Sequence, residues 1–245
     1  MIICKKEGVI LNKVRWGILS TAKIAQEQLI PAFQRSINAE VKAIASGSGV
    51  GKAEEVAHEF QIDKAYGSYE ELLADNEIDA VYIPLPNHLH KEWVIKAAEQ
   101  KKHVLCEKPA ALNVEDFEEM KLACEKNEVL FLEAFMYYFH PQHERVKEMI
   151  DQGEIGEIKY LQAGFTFYLP EEERGSNIRT DREKGGGSLY DVGCHAIHSI
   201  RNILWEEPET VHVQAVVDDH LNVDIETNGY MTFPSGVRAS FDTSF

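Results

Sequence analysis

The chain has 245 residues, 44% hydrophobic and 27% charged, with a formal net charge of −16. That length can bury a sizeable core and lies near the size at which one core splits into two domains. The acidic balance argues against nucleic acid or an anionic membrane as partner, because both need a basic face. There is no long apolar run, and the first residues (Met1-Ile2-Ile3-Cys4-Lys5-Lys6-Glu7-Gly8) lack the extended apolar region and cleavage site of a signal peptide. Cys4, Cys106, Cys124 and Cys194 are widely spaced with no C-x-x-C pair. They fit reduced thiols of a cytoplasmic protein and carry no zinc signature.

Residues 1–13 read as a short leader, and 14–19 predict a strand followed directly by Ser20-Thr21-Ala22-Lys23-Ile24-Ala25. Ile24, Leu29, Ala32 and Phe33 then fall near helical spacing, with Pro31 predicting a kink or irregularity. A strand-to-helix turn of small residues lets backbone N–H groups approach a pyrophosphate, the physics behind G-x-G-x-x-G. The three positions here are Ser20, Ala22 and Ala25, all small and none glycine, so a ligand-free compact turn fits them equally well. A second strand over 40–45 runs into Ser46-Gly47-Ser48-Gly49-Val50-Gly51-Lys52. An acid at that strand end would bind the ribose 2′-hydroxyl of NAD. Glu40 lies at the opposite end, and Ser46, Ser48 and Lys52 offer hydroxyls and a cation, which favours the 2′-phosphate of NADP over NAD. The glycines also suit plain loop punctuation.

The alternation continues through a helix over 53–60 and a strand over 64–66. Ser68 is placed to cap a helix over 69–74, with Glu71 at the capping-box position. A strand over 79–83 ends in Pro84-Leu85-Pro86-Asn87-His88; a helix over 89–100, a strand over 103–106, an Asn113-capped helix to Lys126 and a strand over 129–133 complete the series. Strands alternating with helices at this spacing predict a parallel, doubly wound α/β sheet. Ligands bind at the carboxyl ends of such strands. The segments 20–22, 84–88 and 107–109 should therefore line one crevice, with Lys108 facing it rather than forming a solvated pair with Glu107.

Farther on, 140–152 is amphipathic, with Val146, Met149 and Ile150 inward and Gly153 as C-cap. A long strand over 155–167 leads to a charged loop over 169–184, and after Gly185-Gly186-Gly187 a helix runs to Leu204. Strands over 211–217, 223–233 and 237–241, the last two joined by Pro234-Ser235-Gly236, predict an α+β domain on an open, mainly antiparallel sheet. Asp191, His195 and His198 lie at i, i+4 and i+7, on one helix face. They suit metal ligation, structural polar bonds, or a general base at His195, since an imidazole titrates near neutral pH. No further anchored ligand accompanies them, so no metal is expected.

Ser20-Thr21-Ala22-Lys23-Ile24-Ala25, Pro86-Asn87-His88 with His90, Glu107-Lys108-Pro109, and Asp191-Val192-Gly193-Cys194-His195 after the triple glycine resemble the glucose–fructose oxidoreductase / inositol dehydrogenase (Gfo/Idh/MocA) family. Glu133-Ala134-Phe135-Met136-Tyr137 with His140-Pro141-Gln142 is similar to its dihydrodiol and xylose dehydrogenase branch. The resemblance implies a Rossmann domain over 1–135 that binds NADP or NAD, then a substrate and dimerisation domain over 136–245. It implies hydride transfer at a hydroxyl or carbonyl carbon of a small sugar, polyol or diol. His195 would be the base, Lys108 would stabilise the developing alkoxide, and Asp191 would orient the substrate or His195. Cofactor contacts would come from Ser20, Thr21, Ala22, Lys23, Ile24, Ser46, Ser48, Lys52, Pro84, Pro86, Asn87, His88, Glu107 and Lys108. Tyr138, Phe165, Phe167, Tyr168 and Arg179 would line the substrate side. The chain departs from the branch at Tyr138, commonly arginine there, and at His195, often tyrosine. Family members generally continue past residue 245, so the chain reads as cut short. A homodimer through the C-terminal sheet is expected, and a non-catalytic dinucleotide sensor or an inactive truncated member is the alternative.

Overall fold

The computed structural model describes residues 13–175 and 177–245. The expected leader lies, apart from Lys13, outside the described residues. They fall into two compact units, one taking in 13–85, Leu89–Glu107 and Val114–Leu132, the other Pro86–His88, Lys108–Asn113 and Glu133–Phe245.

The first unit is built on six strands: β1 (Val14–Leu19), β2 (Ala39–Ala45), β3 (Lys64–Tyr66), β4 (Ala80–Ile83), β5 (His103–Cys106) and β6 (Phe131–Glu133). They lie in the order β3-β2-β1-β4-β5-β6, with parallel pairing. Ile18, Leu19, Ile44, Ala45, Val81, Tyr82 and Ile83 are wholly buried. Helices on both faces leave no polar side to such strands, which is why they read as continuous apolar runs. The strand order reverses between β1 and β4, and ligands bind at the carboxyl ends beside such a switch point.

Pro31 has the foreseen effect. A π turn, Ala25–Leu29, runs directly into α1 (Ile30–Arg35), whose first turn holds the proline; Pro31 offers no N–H to the turn before it, and the wider turn accommodates that. The other helices of this unit are α2 (Val50–Phe60), α3 (Tyr69–Leu73), α4 (His90–Glu99) and α5 (Val114–Asn127). The Ser68 hydroxyl accepts the Glu71 N–H at 3.2 Å, while the Glu71 carboxylate accepts the Gly67 N–H at 3.1 Å, one residue before the expected partner.

The second unit begins with a 3₁₀ turn, Met136–Phe139, and α6 (Pro141–Asp151), whose Val146, Met149 and Ile150 are half-buried. The expected strand from 155 starts later, at β7 (Tyr160–Thr166), because Gly153 and Gly156 both take positive φ and hold the chain in a turn. The 169–184 segment folds into short turns: α7 (Glu171–Arg174) and 3₁₀ turns at Ile178–Thr180 and Arg182–Lys184. Next come α8 (Cys194–Leu204), β8 (Thr210–Val217), β9 (Asp224–Thr232) and β10 (Arg238–Ser244). The sheet order is β7-β10-β9-β8; β9 is antiparallel to both neighbours, and β10 runs parallel to β7. Ala196 and Ile200 of α8 bury against Met231, Phe233, Ala239 and Phe241 on one sheet face. Every residue of β8 is exposed.

No helix among the described residues is long and apolar enough to cross a membrane.

Candidate active site

The catalytic candidates of the second unit are organised by the triple glycine. Gly185 and Gly187 have φ of +79° and +120°. A Cβ on Gly186 would meet the Arg179 carbonyl oxygen at 2.5 Å, and one on Gly187 would meet Asp224 Oδ1 at 2.1 Å. Only glycine allows both the left-handed backbone and this approach. Asp224 Oδ2 accepts from Ser188 Oγ and from the Leu189 N–H, each at 2.7 Å, which fixes the start of the following helix.

That helix is not regular from its first residue, as the sequence spacing assumed. Leu189–Gly193 forms a π turn, and the Cys194 N–H reaches the Leu189 carbonyl before α8 proper begins. The wider turn departs from regular α-helical winding between Asp191 and His195. Asp191 bridges two cations. Lys108 Nζ donates to its carbonyl at 2.5 Å and to Oδ1 at 3.1 Å, and Arg179 Nε donates to Oδ2 at 2.7 Å. The Lys108 and Asp191 side chains are 18% and 15% exposed. At that burial, loss of one partner leaves an uncompensated charge, so the pair is tightly constrained.

His195 packs edge-on against Phe135, with ring centroids 5.3 Å apart, and lies 5.6 Å from the Phe165 ring. Burial, and after it the nearby Lys108 cation, pushes its pKa down to about 4. The expected imidazole titrating near neutrality is thereby corrected: His195 is uncharged at pH 7. Cys194, beside it, has its thiol pushed up to about 12 by burial. His198 takes the structural role: it stacks on Phe135 at 4.1 Å, and its Nδ1 pairs with the Tyr137 phenol. Burial lowers the His198 pKa and raises that of Tyr137 to about 12.

The segment after Lys108 is held within the same unit. The Ala110 N–H donates to Glu133 Oε1 at 2.7 Å, and Tyr190 Oη donates to the Leu112 carbonyl at 2.6 Å. Asn87 Nδ2 donates to the Gly185 carbonyl at 2.9 Å, so its amide also braces the glycine run. His88 is exposed. No cluster of three His, Cys, Asp or Glu side chains that could hold a metal ion occurs among the described residues.

The cofactor candidates of the first unit gather at its strand ends. Ser20 Oγ accepts the Ala22 N–H at 3.0 Å, so a hydroxyl shapes the small-residue turn after β1. After β2, the Ser46 and Ser48 hydroxyls lie 3.0 Å apart. Gly49, with φ of +111°, precedes α2, which carries the exposed Lys52. Glu40 is tied to Lys42 at 2.6 Å, near the start of β2. The donor set at the carboxyl end of β2 is therefore hydroxyls and a cation without a carboxylate, chemistry that fits a ribose bearing a phosphate. Pro84 is buried behind β4. Glu107 accepts from the buried Tyr82 phenol at 2.6 Å, a contact within the sheet that sequence reasoning did not foresee. Buried His90 meets the Leu85 carbonyl at 2.8 Å and pins the turn after β4. Lys23 is exposed and 3.5 Å from Glu27; Ile24 is exposed and Thr21 half-buried.

Residues 14–135 match the GFO/IDH/MocA oxidoreductase family, NAD-binding Rossmann fold, and 143–245 match the GFO/IDH/MocA C-terminal domain. The chain belongs to this family. An uncharacterized oxidoreductase of Rhizobium meliloti is 41% identical over 234 residues, covering 96% of this chain and 69% of the relative. The D-xylose 1-dehydrogenase (NADP(+)) 2 of Haloferax volcanii is 42% identical, over 94% of this chain and 69% of its own length. Among solved structures, a 3-ketoreductase from Actinomadura kijaniata in complex with TDP-benzene and NADP superposes with a TM-score of 0.85 at 32% identity, covering 96% of this chain and 70% of that one. This Gfo/Idh/MocA member is an NAD(P)-dependent oxidoreductase acting on CH–OH groups.

Two residues of the site escaped sequence reasoning in their actual roles. Arg179 was expected only as lining, and Asp224 was not singled out. Asp224 did carry a signal, an acid at the start of a strand otherwise half apolar. A carboxylate there needs donors, and Ser188, Leu189 and Thr227 supply them.

Proposed function

We propose that this oxidoreductase interconverts a hydroxyl and a carbonyl on a small sugar, polyol or diol, with NADP preferred over NAD. The observation that carries this reading is the Lys108 ammonium held by Asp191, at 2.5 Å to its carbonyl and 3.1 Å to Oδ1, in the unit whose α8 carries His195. A bound nicotinamide supplies the hydride acceptor or donor. Lys108, held by Asp191, stabilises negative charge developing on the substrate oxygen. His195, neutral at pH 7, accepts the hydroxyl proton. Its low basicity makes the neighbouring cation essential, because the ammonium lowers the cost of drawing that proton away. Phe165, Phe167, Tyr138 and Tyr168 supply aromatic lining on the substrate side.

Residues 1–135 form the dinucleotide-binding domain in this reading and 136–245 the substrate and dimerisation domain. Ser20, Thr21, Ala22, Lys23, Ile24, Pro84, Pro86, Asn87, His88, Glu107 and Lys108 contact the cofactor, and Ser46, Ser48 and Lys52 take the 2′-phosphate. The NADP named with the Haloferax and Actinomadura relatives supports that preference. The sugar and diol substrates named for xylose dehydrogenase and for the trans-1,2-dihydrobenzene-1,2-diol dehydrogenase of Xenopus tropicalis support the substrate class. A second copy covers the face of the C-terminal sheet opposite α8, where His212, Gln214 and Tyr230 are exposed. Cys124 and Cys194, both free thiols, suit the reducing cytoplasm.

The test is reduction of NADP or NAD by a panel of aldoses, polyols and diols, with the Lys108→Met and His195→Ala variants alongside. Lys108→Met should cut turnover by about 10²- to 10³-fold, the size typical of removing one charge-stabilising donor, while NADPH still binds. Wild-type turnover in either variant removes its assigned role, and light scattering decides the dimer.

A further inference from the structure

Lys108, Asp191 and Arg179 make a line of three charges in which each carboxylate oxygen has its own cation. Arg179 is unusually well fixed for a side chain that is 41% exposed. Its N–H donates to Asn177 Oδ1 at 3.1 Å, and its carbonyl accepts the Gly187 N–H at 2.8 Å. Gly186 passes so close to that carbonyl that no Cβ fits. The guanidinium stands 5.9 Å from the Phe167 ring centre. Backbone and side chain together leave Nε aimed at Asp191 Oδ2. The charged Nε–Oδ2 bond at 2.7 Å restricts rotation of the carboxylate, and its other oxygen accepts from Lys108 Nζ at 3.1 Å.

We propose that Arg179 is a positioning residue: it locks the Asp191 carboxylate so that Asp191 holds the Lys108 ammonium where the reaction needs it. The glycine run has a second purpose here, since it lets the Arg179 backbone sit against the start of the catalytic helix. The tether is a property of the fold. Its kinetic consequence rests on the redox function proposed above. Arg179 is 41% exposed and Lys108 still compensates Asp191 when it is lost, so the cost of losing Arg179 falls chiefly on the placement of Lys108 rather than on folding.

The experiment measures the tether without substrate. Trace acetic anhydride labels the lysines of the full chain, and peptide mass spectrometry compares Lys108 with exposed Lys126. In Arg179→Met and in Asp191→Asn, labelling at Lys108 should rise several-fold, and the double variant should rise no further, because both act through one contact. Arg179→Lys keeps the charge but loses the planar grip and should fall between. It also decides the matter if Arg179→Met fails to fold, since melting temperatures should otherwise stay within about 3 °C of wild type. Unchanged Lys108 labelling in the arginine variants overturns the proposal. With a substrate from the panel, Arg179→Met should lower kcat by about 10- to 100-fold, the cost of a misplaced group near 1 Å, with KM moved far less. It should regain part of that loss in added guanidinium. Raised labelling with unchanged kcat also overturns the positioning role. A wild-type chain that turns over nothing removes the proposed function alone, because the labelling still reads the tether.

Discussion

In the six-stranded sheet the strands flanking the switch point are buried on both faces, whereas in the four-stranded sheet β9 and β10 bury alternate residues and β8 buries none. The two regions consequently hold their candidate residues by different means. At the ends of β1 and β2 the cofactor candidates are placed by short-range contacts, such as Ser20 to Ala22 and Ser46 to Ser48. Around His195 the placement is long-range: Lys108 to Asp191 spans 83 residues and Ser188 to Asp224 spans 36. Sites of the first kind should tolerate local substitution. Those of the second kind should fail as a unit.

The comparison can be broken at the glycine run. Gly187→Ala forces a Cβ into Asp224 at a backbone angle that L-residues rarely adopt. It should cost about 2–4 kcal/mol and loosen Ser188, Leu189 and Lys108 together. Thermal melting and Lys108 labelling would read both effects, and a neutral substitution would show that the second unit is as forgiving as the first.

A smaller effect follows from His195. Its native pKa is pushed down to about 4, against an ordinary value near 6.5 in the unfolded chain. Between those values the unfolded state binds more protons, so stability is whole above about pH 6.5 and is lost as the pH falls toward 4. At about 1.4 kcal/mol per unit, the loss is on the order of 2–3 kcal/mol after allowance for partial exposure. His195→Asn should flatten that slope without removing it, since His198 is shifted the same way. Denaturant melts at pH 7, 5.5 and 4 would reveal it; equal slopes in the two proteins would mean that His195 is better solvated than its ring contacts imply.

The smallest effect lies in the first unit. Ser68→Ala removes the α3 cap and should cost about 1 kcal/mol while leaving Lys108 labelling untouched. A rise in labelling would show that the two units respond to strain together.

The amino-acid sequence alone determined the alternation of the first sheet, because strands buried on both faces must be written as apolar runs and turns as small or breaking residues. β1, β3 and β5 begin and end where those runs do, and Pro31 announced the irregular first helix. It also marked Lys108 and His195, through the motifs around them. Where a strand has a solvent face the pattern is weaker, so β7 starts five residues later than expected, at the point where glycines release the chain from a turn. What only tertiary structure decided is which groups meet. Nothing local tells Asp191 to take Lys108 and Arg179 as partners, or tells Leu189–Gly193 to wind as a π turn. Those choices arise from burial, which leaves a carboxylate no acceptable environment except between two cations and removes the charge from an imidazole packed among aromatic rings.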